Sequence, residues 1–168
     1  MVTSLLRRGY NMIIDGKSYF VLNTDSTTYL LRITDSGHLE HLYYGKRIRV
    51  TDGLYGLIER QEFPPGNNNV YSPDHPQMTL NNMLLEVSFD GKGDNREAFL
   101  EIEHADGSIT SDFLFRGAKV EKGVKPLDAM PSSYDESGDA ECLEIEIYDS
   151  FYDQKLILDY YEIGRAHV

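Results

Sequence analysis

Residues 85–117, LEVSFDGKGDNREAFLEIEHADGSITSDFLFRG, constrain the fold of this chain more than any other stretch. From Ala98 to His104 the side chains alternate, with Phe99, Glu101 and Glu103 on one face and Leu100 and Ile102 on the other. A period of two belongs to a strand with one buried face. Ser108 to Arg116 is a second such run, with Ile109, Phe113, Leu114 and Phe115 as its apolar residues. Between them lies Ala105-Asp106-Gly107, a short link whose glycine takes positive φ without steric cost. Two alternating runs around such a link predict a β-hairpin. Asp90-Gly91-Lys92-Gly93-Asp94, just upstream, is too rich in glycine and charge for a strand interior and reads as a loop crossing the end of a sheet.

The rest of the chain repeats this grammar. Met12–Ile14 and Ser18–Asn23 flank Asp15-Gly16, a hairpin signal. Thr27–Ile33 is β-branched and aromatic, and Thr34-Asp35-Ser36-Gly37 is a turn cluster. His38–Tyr44 should place Leu39, His41 and Tyr43 on one face and Glu40, Leu42 and Tyr44 on the other, with Lys46–Val50 as a further short strand. Thr51–Gln77 has no periodicity and contains Pro64-Pro65-Gly66 and Asn67-Asn68-Asn69; a loop of that length in a compact domain is usually functional or disordered. Gly117–Gly123 predicts a short strand, Lys125–Asp139 a loop, and Glu141–Tyr148 with Lys155–Tyr161 a hairpin across Asp149–Gln154. The sum is about ten short antiparallel strands with little or no helix, an all-β chain of β-sandwich type.

Composition narrows the partners. The net charge of −12 argues against nucleic acid, whose phosphates require clustered Lys and Arg. No apolar run is long enough to span a membrane. Cys142 is the single cysteine, so no internal disulfide forms, which fits a reducing, cytoplasmic setting.

Both ends look foreign to the domain. Arg7-Arg8 is the dipeptide encoded by AGG-AGG, a bacterial ribosome-binding sequence, and it lies just upstream of Met12; residues 1–11 are therefore expected to be an upstream over-translation or a disordered leader. Residues 163–168, IGRAHV, resemble the translation of a common sequencing adapter, and Glu162 fits the adapter's preceding bases as GAG. The domain proper is expected to be residues 12–162. The ends hold three of the 16 basic residues and none of the 28 acidic ones, so the domain's charge is −15.

No catalytic motif stands out. His38 and His41 are three apart on one strand, so they point to opposite faces and cannot share a metal there. Asp90, Asp94 and Glu97 miss the EF-hand spacing. Glycoside hydrolysis needs two carboxylates flanking one bond, and no such pair is singled out among the many present. Cys142 sits mid-strand and reads as core. The residues alone thus describe an acidic sandwich with no catalytic, metal or cofactor site.

Taken in order, several motifs resemble the N-terminal β-sandwich domain of bacterial α-galactosidases of glycoside hydrolase family 36. They are His41-Leu42-Tyr43-Tyr44-Gly45-Lys46-Arg47-Ile48, then Leu80 with Leu85-Glu86, and Gly91-Lys92-Gly93-Asp94-Asn95-Arg96-Glu97. Asp106-Gly107-Ser108, Ser111-Asp112-Phe113, Met130-Pro131-Ser132-Ser133-Tyr134 and Leu143-Glu144-Ile145 follow. The chain departs from the family pattern at Asn95, usually aromatic; at Arg116-Gly117, usually near Ser-His; and near Ala129, usually glycine. Asn68 stands where some members carry an aspartate.

The resemblance implies a parent enzyme, a retaining hydrolase of terminal α-galactosides such as melibiose and raffinose, with its catalytic carboxylates on a barrel downstream. This chain would then be part of a larger super-sandwich and catalytically silent by itself. It further implies a homotetramer in which the sandwich reaches a neighbour's active site, and Asn67, Asn68, Asn69 and Tyr71 are the residues expected to meet the sugar there. The alternative is a free-standing carbohydrate-binding sandwich. Arg96 is expected to anchor the glycine-rich loop, with Asp94 as its candidate partner. Lys155–Tyr161 is expected to present an open edge with exposed apolar residues.

Overall fold

The structure is a computed structural model and describes residues 12–51, 53–58, 69–126, 128, 130, 131, 135 and 138–163. Seven strands occur among them: β1 (Ile13–Asp15), β2 (Tyr19–Asn23), β3 (Thr27–Ile33), β4 (Leu39–Lys46), β5 (Leu114–Lys122), β6 (Glu141–Asp149) and β7 (Gln154–Glu162). Helical geometry among these residues is confined to two 3₁₀ turns, Leu54–Leu57 and Leu80–Asn82. β1 to β4 form one antiparallel sheet in chain order, and β5, β6 and β7 form a second. The turns follow the local chemistry. Asp15 caps the first hairpin by accepting the Lys17 N–H (2.8 Å), and Gly37 closes the Thr34 turn at φ 90°.

The two sheets face each other across one apolar core. Phe20, Leu22, Leu31 and Leu39 from the first sheet meet Leu143, Ile145 and Ile147 of β6, and Phe113 joins them. Burying each of these side chains contributes about 1.5–3 kcal/mol. The alternate residues of β6 turn outward, where Glu144 pairs with Lys119 (3.2 Å) and Glu146 with Arg116 (3.4 Å). A smaller cluster of Val21, Leu30 and Leu42 lies on the outer face of the first sheet, under Val50, Leu54 and Ile58.

Residues 84–86 run along the free edge of β4. The His41 N–H donates to the Leu84 carbonyl (2.7 Å) and the Glu86 N–H to that of Leu39 (3.0 Å). The Glu86 carboxylate then accepts the hydroxyls of Tyr29 on β3 (2.5 Å) and Tyr160 on β7 (2.8 Å). Burial, reinforced by that carboxylate, pushes both phenols well above their ordinary range. One half-buried carboxylate thus ties the two sheets together.

Several expectations are corrected. The Ala98–His104 and Ser108–Arg116 runs do not pair as a hairpin. Only the turn survives, with the His104 N–H on the Ser108 carbonyl (2.8 Å). The donors of the second run go elsewhere: Ser108 N to Asp106 Oδ1, Thr110 N to Ser108 Oγ, Ser111 N to the Asp90 carbonyl and Asp112 N to Asp149 Oδ2. Short polar side chains compete with a ladder in this way. The alternation persists in burial, since Phe99, Glu101 and Glu103 are exposed while Leu100 and Ile102 are half-buried. Ile109, expected inside, is 54% exposed.

Leu114 and Phe115 belong instead to β5, which continues through the predicted Gly117 strand across a bulge at Arg116. Lys46–Val50 adds no strand, because β4 absorbs Lys46 and Val50 covers the outer cluster. The predicted faces of β4 fail after His41. A bulge puts Leu42 opposite no residue, so Tyr43 moves to the outer face opposite Leu30 and Tyr44 to the inner face opposite Tyr29. One extra residue inverts all later positions.

Candidate functional site

The long loop re-enters the described residues at Asn69, and two glycine-dependent contacts seat it. Gly93 has φ 79°, and a Cβ there would lie 2.7 Å from the Asn69 carbonyl oxygen. Gly91 has φ 97° and lies against Thr110. The glycine-rich loop is therefore a saddle that only bare backbone can form. Tyr71 to Met78 folds into a tight reversal, with the Tyr71 N–H on the Met78 carbonyl (2.8 Å) and a bridge between Ser72 and His75.

Asp112 holds this reversal down. The Tyr71 hydroxyl donates to Asp112 (2.9 Å to Oδ2), Lys92 Nζ lies 3.2 Å from Oδ2, and His38 Nε2 lies 3.4 Å from Oδ1. The carboxylate can only accept, so Nε2 of His38 carries its proton and Nδ1 faces the Ser36 hydroxyl (2.9 Å). The His38 and Tyr71 rings meet edge to face at 4.8 Å. The Asp112 N–H donates to Asp149 Oδ2 (2.8 Å), while Asp149 Oδ1 accepts the N–H groups of Phe151 and Tyr152. Burial alone would raise the Asp112 pKa; the bonds from His38 and Tyr71 and the Lys92 charge outweigh it and hold the carboxylate below its usual range. Burial, and then Asp112 itself, push the Tyr71 phenol far up.

A second clasp fixes the other end of the glycine-rich loop. Arg96 forks onto Asp94, with Nε on Oδ1 (2.9 Å) and an Nη on Oδ2 (2.8 Å). Its remaining donors reach the Met83 carbonyl (2.6 Å) and the Leu80 carbonyl (2.9 Å), which bracket the second 3₁₀ turn. Burial would raise the Asp94 pKa, and the Arg96 contacts overcome it.

The structure thus brings Asn69, Tyr71, Asp94 and Arg96 to one corner of the sandwich. Asn67 and Asn68 lie outside the described residues. The Tyr71 hydroxyl is engaged by Asp112, and its ring carries Lys92 Nζ above it, 5.8 Å from the centroid, and the His75 ring at 6.0 Å. Lys92 and Asp112 were not singled out from sequence, and His38 was weighed there only as a metal ligand beside His41. Asp112 stood within the Ser111-Asp112-Phe113 motif, but nothing local tied it to Lys92, Tyr71 and His38, which lie 20, 41 and 74 positions away. His38 and His41 diverge, toward Asp112 and toward the Tyr29 ring (5.0 Å), respectively.

These residues define a two-sheet antiparallel sandwich with a latched loop at one corner. Residues 37–165 match the model of the glycosyl hydrolase family 36 N-terminal domain, and the chain belongs to that family. It is 27% identical over 144 residues to the α-galactosidase AgaA of Geobacillus stearothermophilus, covering 84% of this chain and 19% of that protein. It is 30% identical over 138 residues to the bifunctional α-galactosidase/sucrose kinase AgaSK of Mediterraneibacter gnavus, covering 79% of this chain and 14% of that one. The solved galactosidase domain of AgaSK superposes with a TM-score of 0.79 at 25% identity over 90% of this chain. A crystal structure of the Geobacillus enzyme in complex with raffinose gives 0.78 at 25% identity over 87%. The chain spans about a fifth or less of the length of these relatives.

Proposed function

We propose that this chain is the front of a retaining α-galactosidase acting on terminal α-galactosides of the melibiose and raffinose type. In this reading residues 12–162 are the domain, and residues 1–11 and 163–168 are extraneous. The sandwich carries no catalytic group. It serves assembly of a homotetramer and offers its long loop, Asn67 to Tyr71, to the active site of a neighbouring subunit. With its one thiol, Cys142, buried, it works in the cytoplasm. The observation that carries the reading is the family match over residues 37–165, shared with relatives described as α-galactosidases. The latching of Asn69 and Tyr71 onto the glycine-rich saddle supports the loop's role, because a contact residue must be held in place before it orients a sugar.

The experiment extends the gene beyond Glu162 and compares the longer polypeptide with the 168-residue chain. Only the longer polypeptide should hydrolyse a chromogenic α-galactoside, and Asn69→Ala in it should raise KM more than it lowers kcat. Turnover above blank by the pure 168-residue chain would overturn the non-catalytic role. An unchanged KM would remove the loop from the sugar site. Raffinose binding by the short chain alone would favour a self-sufficient binding module.

A further inference from the structure

Gly91, Lys92 and Gly93 are three successive residues with positive φ (97°, 52° and 79°), in a turn closed by the Asp94 N–H on the Gly91 carbonyl (3.0 Å). The two glycines are bare because a Cβ at either would collide, with Thr110 or with the Asn69 carbonyl. Lys92 carries a Cβ in the same left-handed region, where asparagine or glycine is the unstrained choice. Strain of this kind points to a use for the side chain. Pairing within the fold is a weak use. Among the described residues the ammonium has one carboxylate partner, Asp112 Oδ2 at 3.2 Å, and the Lys92 side chain is 40% exposed. A pair so open to water contributes little, and Asp112 already faces the Tyr71 hydroxyl and His38 Nε2.

The place of Lys92 in the corner suggests a stronger use. The next residue, Gly93, backs onto the Asn69 carbonyl, and Lys92 Nζ stands 5.8 Å from the centroid of the Tyr71 ring. Tyr71 is committed elsewhere: its hydroxyl is on Asp112, and its ring meets those of His38 at 4.8 Å and His75 at 6.0 Å. The polar group this corner offers beside Asn69 is therefore the ammonium and not the phenol. We propose that Lys92 is a further sugar-contacting residue, whose ammonium donates to a hydroxyl of the α-galactoside; this rests on the reading that brings the Asn67–Tyr71 loop to a neighbour's sugar site. An ammonium has three N–H donors and no acceptor, and Asp112 takes one of them. Sugar hydroxyls and ring oxygens accept the others. A donor already held by a carboxylate and set over a ring has little freedom left to lose on binding. Asp112 then serves the site twice, by removing the Tyr71 hydroxyl from it and by holding the ammonium in it.

The polypeptide extended beyond Glu162, assayed with raffinose, tests this. Lys92→Asn removes the ammonium and suits the left-handed backbone. It should raise KM about tenfold and leave kcat within about twofold. Its thermal midpoint should be no lower than that of the wild type, because the backbone strain is relieved. Lys92→Arg keeps a cationic donor and should hold KM within about threefold of the wild type. A merely structural lysine would behave in the opposite way, with a lower thermal midpoint and an unchanged KM. Asn69→Ala separates the proposal from the reading beneath it. If Asn69→Ala raises KM and Lys92→Asn does not, Lys92 is only a partner of Asp112, and the proposal falls while the loop keeps its role. If neither moves KM, both fall. If Lys92→Asn alone raises it, Lys92 meets the sugar and Asn69 does not. A Lys92→Arg variant as impaired as Lys92→Asn, or a rise in KM that comes with a lowered thermal midpoint, would also overturn the contact.

Discussion

Replacing Arg96 by Met should damage the domain more than its surface position suggests. The Arg96 side chain is 38% exposed, but the Asp94 carboxylate beneath it is 1% exposed. Truncation strands that carboxylate and leaves the Leu80 and Met83 carbonyls without their charged donor. Stranding one member of a fully buried pair costs about 3–5 kcal/mol. Water reaches this guanidinium, so the cost should fall to about 2–3 kcal/mol. For a domain of this size that is a Tm lower by roughly 4–12 °C.

The cycle partner is Asp94→Asn. Together the two variants should destabilise less than the sum of the singles, with a coupling of about 1–2 kcal/mol, because no lone charge remains. The pH dependence has a definite sign. The Asp94 pKa is lowered on folding, so the pair contributes fully above the ordinary aspartate range and its contribution is lost as pH falls toward the depressed value. The gap between wild type and Arg96→Met, read by urea denaturation, should therefore narrow below about pH 4. A variant within about 0.5 kcal/mol of wild type at pH 7, or strictly additive singles, would refute the clasp.

Asp112→Asn should destabilise the chain by about 1–3 kcal/mol at pH 7, since an amide cannot accept from His38, Tyr71 and Lys92 together. Wild-type stability should fall in acid as Asp112 protonates through its lowered pKa, and this variant should lose that part of the acid sensitivity, measured by thermal melts between pH 3 and 7. Gly93→Ala should cost about 1–3 kcal/mol, through the positive φ and the approach to the Asn69 carbonyl, and should expose the 69–78 reversal to limited proteolysis.

The strands whose hydrogen bonds come from close neighbours were legible in the sequence. β3 matches its predicted bounds, and β6 and β7 differ by a residue at their ends, because Leu143, Ile145 and Ile147 alternate with glutamates and the Asp149–Gln154 link is short. What escaped was decided at a distance. The central hairpin had the right side-chain pattern, but its N–H groups were captured by Asp106, Ser108 and Asp149, and alternation carries no record of where a backbone donor goes. The inversion of Tyr43 and Tyr44 depended on one bulged residue, Leu42. At the candidate corner, Asp94 and Arg96 could be matched because they are two apart. The meeting of His38, Tyr71, Lys92 and Asp112 needed both sheets in place first.

Glu86 has a consequence for how the sandwich finds its alignment. Its two oxygens serve hydroxyls from β3 and β7, and its own backbone is fixed to β4. A slip of β7 by one residue would carry Tyr160 to the outer face and set Tyr161 or Asp159 in its place, leaving a half-buried carboxylate with half its donors or facing another anion. The core opposes such a slip as well, since it would turn Lys155 and Asp159 inward where Leu156, Leu158 and Tyr160 now pack. Glu86 therefore acts as a gauge. A collapsed chain passes through many greasy alignments of β7, and only one of them gives this carboxylate both of its hydroxyls.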